Sequence, residues 1–221
     1  MVGESVAQLV HIAADTVTLE GMLVIPVGAP GVVLFAHGSG SSRHSPRNTA
    51  VAQVLQRGGL GTLLMDLLSP AEDVSYEARF DIQLLAKRLT AATQWLRAQP
   101  ATKDLGIGYF GASTGAAAAL EAAAVLGPAI NAVVSRGGRP DLAWAALERV
   151  QAPTLLIVGG RDDVVIQLNQ QAYERLQAEK QLVIIPGATH LFEEPGALPE
   201  VARLAAEWFT RYLRPQTTQD R

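Results

Sequence analysis

The sequence predicts an α/β fold with a mostly parallel central sheet flanked by helices, and three observations carry this. Short apolar runs alternate with stretches of helical spacing along most of the chain, the pattern of repeated βα units. Two of those runs, residues 31–36 (GVVLFA) and 154–158 (TLLIV), are apolar almost throughout, as strands covered on both faces must be. A third run, 105–110, leads through Gly111-Ala112-Ser113-Thr114-Gly115 into an alanine-rich helical stretch. In that strand–turn–helix setting the turn holds a serine on strained backbone, with its hydroxyl exposed above the sheet edge.

The elements follow in order. Residues 6–12 and 21–25 read as an opening antiparallel pair, and 31–36 as a buried central strand. Residues 48–57 are helical, with Pro46 ahead and Gly58-Gly59 closing the helix. A strand over 60–65 is followed by a helix over 78–98, set by the spacing of Ile82, Leu85, Leu89 and Leu96. Strand 105–110 feeds the serine turn, and helix 116–126 has side chains small enough to lie close to the sheet. Then come strand 130–135, a short helix 142–150, strand 154–158, helix 165–178, strand 181–185 and an amphipathic helix 198–213.

Residues 1–214 are expected to form one domain, and 215–221 a polar C-terminal tail. No repeat or linker is evident. Only residues 136–152 separate the strand ending at Ser135 from Pro153. That stretch leaves no room for a large helical cap, so an open site and small substrates are expected.

With 48% hydrophobic and 18% charged residues, the composition is ordinary for a globular protein. A net charge of -3 argues against a nucleic-acid partner or an anionic membrane surface. The absence of cysteine excludes disulfides, thiolate metal sites and a thiol nucleophile. No two histidines have the helical spacing of metal ligands, and no cofactor is expected. Residues 1–5 lack the basic and apolar regions of a secretory signal, and the apolar stretch 116–126 contains Glu121 and is too short to span a bilayer. A cytoplasmic location is the expectation.

A serine hydroxyl is a weak nucleophile near neutral pH, so it needs a base within hydrogen-bond reach and an acid to orient that base. In doubly wound sheets such groups gather at the carboxyl ends of strands. Of the four histidines, His11 belongs to the N-terminal strand region. His37 follows the GVVLFA run and His44 lies in a polar loop. His190, in Pro186-Gly187-Ala188-Thr189-His190 after the last strand, is assigned as general base. The acid should lie between serine and histidine in chain order. Asp162 in Gly159-Gly160-Arg161-Asp162-Asp163 is preferred, with Asp163 as the alternative and Asp66 as a weaker third choice. The developing oxyanion needs two backbone N–H donors. Thr114, at the start of the new helix, and Ser39, in the loop His37-Gly38-Ser39-Gly40, are assigned to it.

FAHGSG, GYFGASTG, VGGRDD and GATH together resemble the α/β-hydrolase superfamily in order and spacing, over residues 6–213. The capless form looks most like the dienelactone hydrolase family. The resemblance implies an α/β-hydrolase fold and a Ser113–His190–Asp162 triad that hydrolyses carboxylic esters or lactones through an acyl-enzyme. The founding members carry a cysteine nucleophile, and here Ser113 fills that slot. Activity on dienelactone itself is not expected.

Five arginines follow strands: Arg43, Arg47, Arg136, Arg139 and Arg161. Arg43 or Arg136, together with His37, is read as a substrate contact, with the arginine gripping a carboxylate or phosphate in bidentate fashion. The opposing expectation is that these arginines pair with Glu193, Glu194, Asp141 or Asp163 on the surface. The same triad would also serve an acyltransferase or peptidase. A binding protein that kept the fold without catalysis is the reading from another functional class.

Overall fold

A computed structural model describes residues 6–213; the expected tail, 215–221, lies outside the described residues, as does segment 1–5. The strands are β1 (Gln8–Ala14), β2 (Val17–Val24), β3 (Gly31–Ala36), β4 (Gly61–Met65), β5 (Gly106–Ala112), β6 (Ala132–Arg136), β7 (Thr154–Gly159) and β8 (Lys180–Ile185). The helices are α1 (Pro46–Arg57), α2 (Tyr76–Phe80), α3 (Ile82–Ala98), α4 (Thr114–Leu126), α5 (Asp163–Arg175) and α6 (Ala197–Tyr212).

One eight-stranded sheet runs in the order β1-β2-β4-β3-β5-β6-β7-β8. The pairs β1–β2 and β2–β4 are antiparallel, and β3–β4 and every pair from β3–β5 to β7–β8 are parallel. Chain order reverses around β3, because β4 lies on one side of it and β5 on the other. Ligands bind at such a switch point, outside the carboxyl ends of the strands.

Side chains of a strand alternate between faces, and the two cores follow that period. Val33, Phe35, Phe110, Val134 and Ile157 pack on one face beneath α1 and α6, whose Leu55, Val201 and Phe209 meet them. Val32, Leu34, Ile107, Tyr109 and Val133 pack on the other face with Leu85 and Leu89 of α3 and the alanines of α4. Ala116 to Ala119 are fully buried, and the absence of longer side chains lets α4 approach β5. The edge strand β1 alternates instead, burying Val10, Ile12 and Ala14 and exposing the residues between.

The expected 78–98 helix is two helices. Ser75 Oγ accepts from Ala78 N to start α2, and Asp81 Oδ1 accepts from Leu84 N at 3.0 Å to start α3. Those two N-caps break the chain where apolar spacing alone suggested continuity. The expected helix 142–150 is replaced by two 3₁₀ turns, Pro140–Ala143 and Leu147–Arg149. No cap interrupts the chain between β6 and β7. The remaining elements shift by a few residues at their ends.

Candidate functional site

Ser113 stands between β5 and α4 with φ 52° and ψ −120°. Left-handed φ is costly for a residue with a Cβ, so the surroundings must hold it. Its N–H donates to Arg136 O at 3.2 Å, and its carbonyl accepts from Arg139 N at 3.1 Å. Gly115 makes the turn possible: a Cβ there would collide with the carbonyl oxygens of Ala36 and His37. The loop after β3 is therefore packed directly on the serine turn. A Cβ added to Gly38 would lie 3.2 Å from Ser113 Cβ.

His190 lies in the loop after β8, and Asp162 in the turn between β7 and α5. His190 Nδ1 donates to Asp162 Oδ2 at 2.6 Å. A carboxylate only accepts, so this contact puts the proton on Nδ1 and leaves Nε2 a free lone pair. Asp162 is largely shielded, its side chain 17% exposed, whereas the His190 side chain is 38% exposed. Asp163 is exposed at the start of α5, and no histidine bond to it is present among the described residues. Gly137 ties this pair to the serine turn. It follows Arg136, to whose carbonyl Ser113 is bonded, and a Cβ on it would lie 3.5 Å from His190 Cε1.

The loop after β3 is held from both ends. Ser39 N donates to Thr114 Oγ1 at 2.9 Å. His37 is buried; its Nε2 accepts from Leu67 N at 3.1 Å, and its Nδ1 donates to Gly38 O at 3.0 Å. Burial lowers its pKa from the ordinary value, overcoming the opposing effects of the Gly38 bond and of Asp66 and Asp73. Both ring nitrogens are thus engaged within the protein, which makes His37 an internal strut rather than the expected substrate contact. It also borders a recess lined by Gly38, Ser39, Leu67, Leu68 and Leu85.

The arginines divide. Arg43 pairs with Asp66 and Glu20, and its N–H also donates to Asp66 Oδ1 at 2.8 Å. It clamps the loop to β2 and to the end of β4 and is not left for substrate, a correction to the sequence expectation. The same contacts engage Asp66, the third candidate acid. Arg47 meets Glu193 at 3.0 Å, and Arg139 grips Asp141 through two bonds of 2.9 and 2.8 Å. Arg161 is exposed. Arg136 is 5% exposed, and its side chain forms no hydrogen bond or ion pair with any described residue. His11 and His44 are exposed and away from the serine turn.

Two contributors carried no sequence signal. Leu67 acts through its backbone alone. Asn169, fully buried in α5, donates to Gly138 O at 3.0 Å and so secures the loop after β6.

The model of the dienelactone hydrolase family matches residues 19–214. The chain belongs to the dienelactone hydrolase family. A solved structure titled dienelactone hydrolase, from Anabaena variabilis, is 60% identical, covers 95% of this chain and 99% of that one, and superposes with a TM-score of 0.93. Est1E from Butyrivibrio proteoclasticus shares the fold at 16% identity, with a TM-score of 0.79 over 92% of this chain and 98% of that one. A Mycobacterium tuberculosis (H37Rv) protein named "Putative phosphoribosyl transferase" is 57% identical over 204 residues. The match takes in 92% of this chain but only 46% of that protein, so the chain spans about half the length of that curated relative. Among the described residues, no helix is long and apolar enough to cross a membrane.

Proposed function

We propose that this member of a hydrolase family is a serine esterase or lactonase acting on small carboxylic esters without a cofactor. The observation that carries the reading is the strained Ser113 turn, joined through Arg136 and Gly137 to a His190 whose Nδ1–H is held by Asp162.

In this mechanism the free Nε2 of His190 takes the Ser113 proton as Oγ attacks the ester carbonyl. The amide of Thr114 receives the negative charge on the carbonyl oxygen, joined by the Ser39 amide as it exchanges Thr114 Oγ1 for the oxyanion. His190 then gives its proton to the departing alcohol as the C–O bond breaks. Water repeats the sequence on the acyl-enzyme, releasing the acid and restoring Ser113. Asp162 keeps the imidazole oriented and stabilises the imidazolium at each stage. The short β6–β7 connection supports open access and small substrates.

The phosphoribosyl transferase name is not carried to this chain, because it is given to a protein of which the chain matches less than half. The test is a screen of p-nitrophenyl esters of graded acyl length, together with labelling by a fluorophosphonate. Hydrolysis of short esters and labelling confined to Ser113 are expected. Folded protein that neither labels nor turns over any ester would overturn the reading in favour of a non-catalytic binding protein.

A further inference from the structure

Asn169 is a costly residue for its place. It lies midway along α5 and is fully buried, forming the inner stripe of that helix with Val165 and Ala172. An apolar side chain there would avoid burying an amide. Asn169 Nδ2 donates to Val165 O at 2.8 Å and to Gly138 O at 3.0 Å. Its Oδ1 is enclosed without a partner among the described residues. The bond to Val165 lies within the helix and aims the amide. The bond to Gly138 leaves the helix and joins it to the loop after β6.

Both ends of that tie lead to the chemistry. Asp162 opens α5: its carbonyl accepts from Ile166 N at 2.9 Å, while its carboxylate holds His190 instead of capping the helix. Asn169 stands about two helical turns further on. At the other end, Arg136 O accepts from Ser113 N and Arg139 N donates to Ser113 O. A Cβ on Gly137, between them, would lie 3.5 Å from His190 Cε1. The loop therefore touches both Ser113 and His190. Its middle is fastened twice, by Gly137 N to Ile157 O at 2.8 Å on β7 and by Gly138 O to Asn169 on α5. Those two elements flank the Asp162 turn. A Cβ on Gly138 would collide with Ser135 Oγ and with Ala116 Cβ, so Gly138 is seated tightly between α4 and α5.

We propose that Asn169 is a positioning residue: by holding Gly138 against α5 it sets the approach of Ser113 to His190. The proposal rests on the serine-hydrolase reading for its catalytic effect, but not for the tie itself. Proton transfer from Ser113 Oγ needs Nε2 within hydrogen-bond reach, and a displacement of about 1 Å can cost on the order of 100-fold in rate. The tie makes the acid-bearing helix and the loop that grips the nucleophile move as one body. Asn169 is buried beneath the loop, so its loss acts on the chemical step and leaves substrate affinity in place.

Two measurements test this. In Asn169→Leu, kcat for p-nitrophenyl butyrate should fall by about tenfold or more, with KM within about twofold of wild type. Labelling of Ser113 by a fluorophosphonate should slow in parallel, and the midpoint of the pH–rate profile should stay in place because the His190–Asp162 bond is intact. The control is Ala172→Gly, which loosens the same buried stripe of α5 but has no bond to the loop. It should lower the melting temperature and keep kcat within about twofold. If Asn169→Leu does not fold, Asn169→Ser must show the same loss, since its hydroxyl is one bond shorter and serves Val165 O without reaching Gly138 O. The second measurement is amide hydrogen exchange, which should quicken at Ser113 and Arg139 in the Asn169 variant and not in Ala172→Gly. An unchanged kcat, a loss matched by Ala172→Gly, or unchanged exchange at both amides overturns the proposal. If wild type neither labels nor hydrolyses any ester, the esterase reading fails and the positioning role fails with it, while exchange alone decides the tie.

Discussion

The amide of Ser39 donates to the hydroxyl of Thr114 at 2.9 Å, joining the loop after β3 to the first residue of α4. These are the residues whose N–H groups are proposed to hold the oxyanion. The bond spends the one hydrogen of the Ser39 amide, which can turn to an oxyanion only by leaving Thr114 Oγ1. Preorganised donors cost no reorganisation during reaction, and this one must first give up a bond. Thr114→Val keeps the branched shape and loses the acceptor. Since a net hydrogen bond is worth roughly 1 kcal/mol and its loss frees the Ser39 amide, kcat for a short ester should rise up to about fivefold with KM little changed, and Thr114→Ser should return it to the wild-type value. Steady-state kinetics on the three proteins would expose an idle hydroxyl as an unchanged kcat.

Ser113 trades stability for function. A non-glycine residue in so sparsely populated a region costs on the order of 1–3 kcal/mol, and its φ of 52° is one glycine adopts freely. Ser113→Gly should abolish ester hydrolysis and still raise the melting temperature by about 2–4 °C, the equivalent of roughly 1 kcal/mol in a domain of this size. Ser113→Ala should also be inactive, but it retains the Cβ and so the strain. Calorimetry on both variants makes the comparison; equal melting temperatures for Gly and Ala would mean the turn stores no such strain.

Asp162 and Asp163 are adjacent in sequence and differ completely in setting. Only Asp162 reaches His190, at 2.6 Å, while Asp163 faces solvent in the first turn of α5. Asp162→Asn would offer the imidazole an amide in place of an acceptor-only carboxylate and allow the wrong tautomer. A loss in kcat of about 10⁴-fold is the scale for that change in a serine triad. Asp163→Asn should stay within about twofold, as surface substitutions do. Reversal of the two effects would move the acid to Asp163.

The placement of Ser113, His190 and Asp162 beyond strand ends was legible in the sequence because each follows an apolar run, and strand ends are where a parallel sheet gathers such groups. The fate of the arginines was not. Arg43 finds Glu20 and Asp66 only because β4 inserts between β2 and β3, a pairing that periodicity cannot order. Arg136 and Arg43 looked alike in sequence, both in loops after strands, yet one is clamped by two carboxylates and the other buried without any. Strand alternation decides this for Arg136, whose register beside Ala112 and Ile157 sets the face it takes. The α2–α3 break was within reach: Ser75 and Asp81 are good N-cap residues, and the apolar spacing of 82–96 masked them.

His37 should make stability depend on pH in one direction. Its folded-state pKa lies below the ordinary value of about 6.5 because burial disfavours the imidazolium. Protonation would also turn the acceptor for Leu67 N–H into a second donor. Between the two pKa values the unfolded chain binds more protons than the folded one, so stability must rise with pH there. The contribution is fully present above about pH 6.5 and declines as pH falls toward the lowered folded-state value, with a limiting slope of roughly 1.4 kcal/mol per pH unit. His37→Gln removes the titration and leaves the acidic side chains common to both proteins. The difference in unfolding free energy between wild type and His37→Gln, followed by denaturant titration from pH 7.5 downward, should therefore shrink as the pH drops through 6. Curves that stay parallel would show that His37 titrates alike in both states, and the loop's hold on Leu67 would then have no linkage to protons.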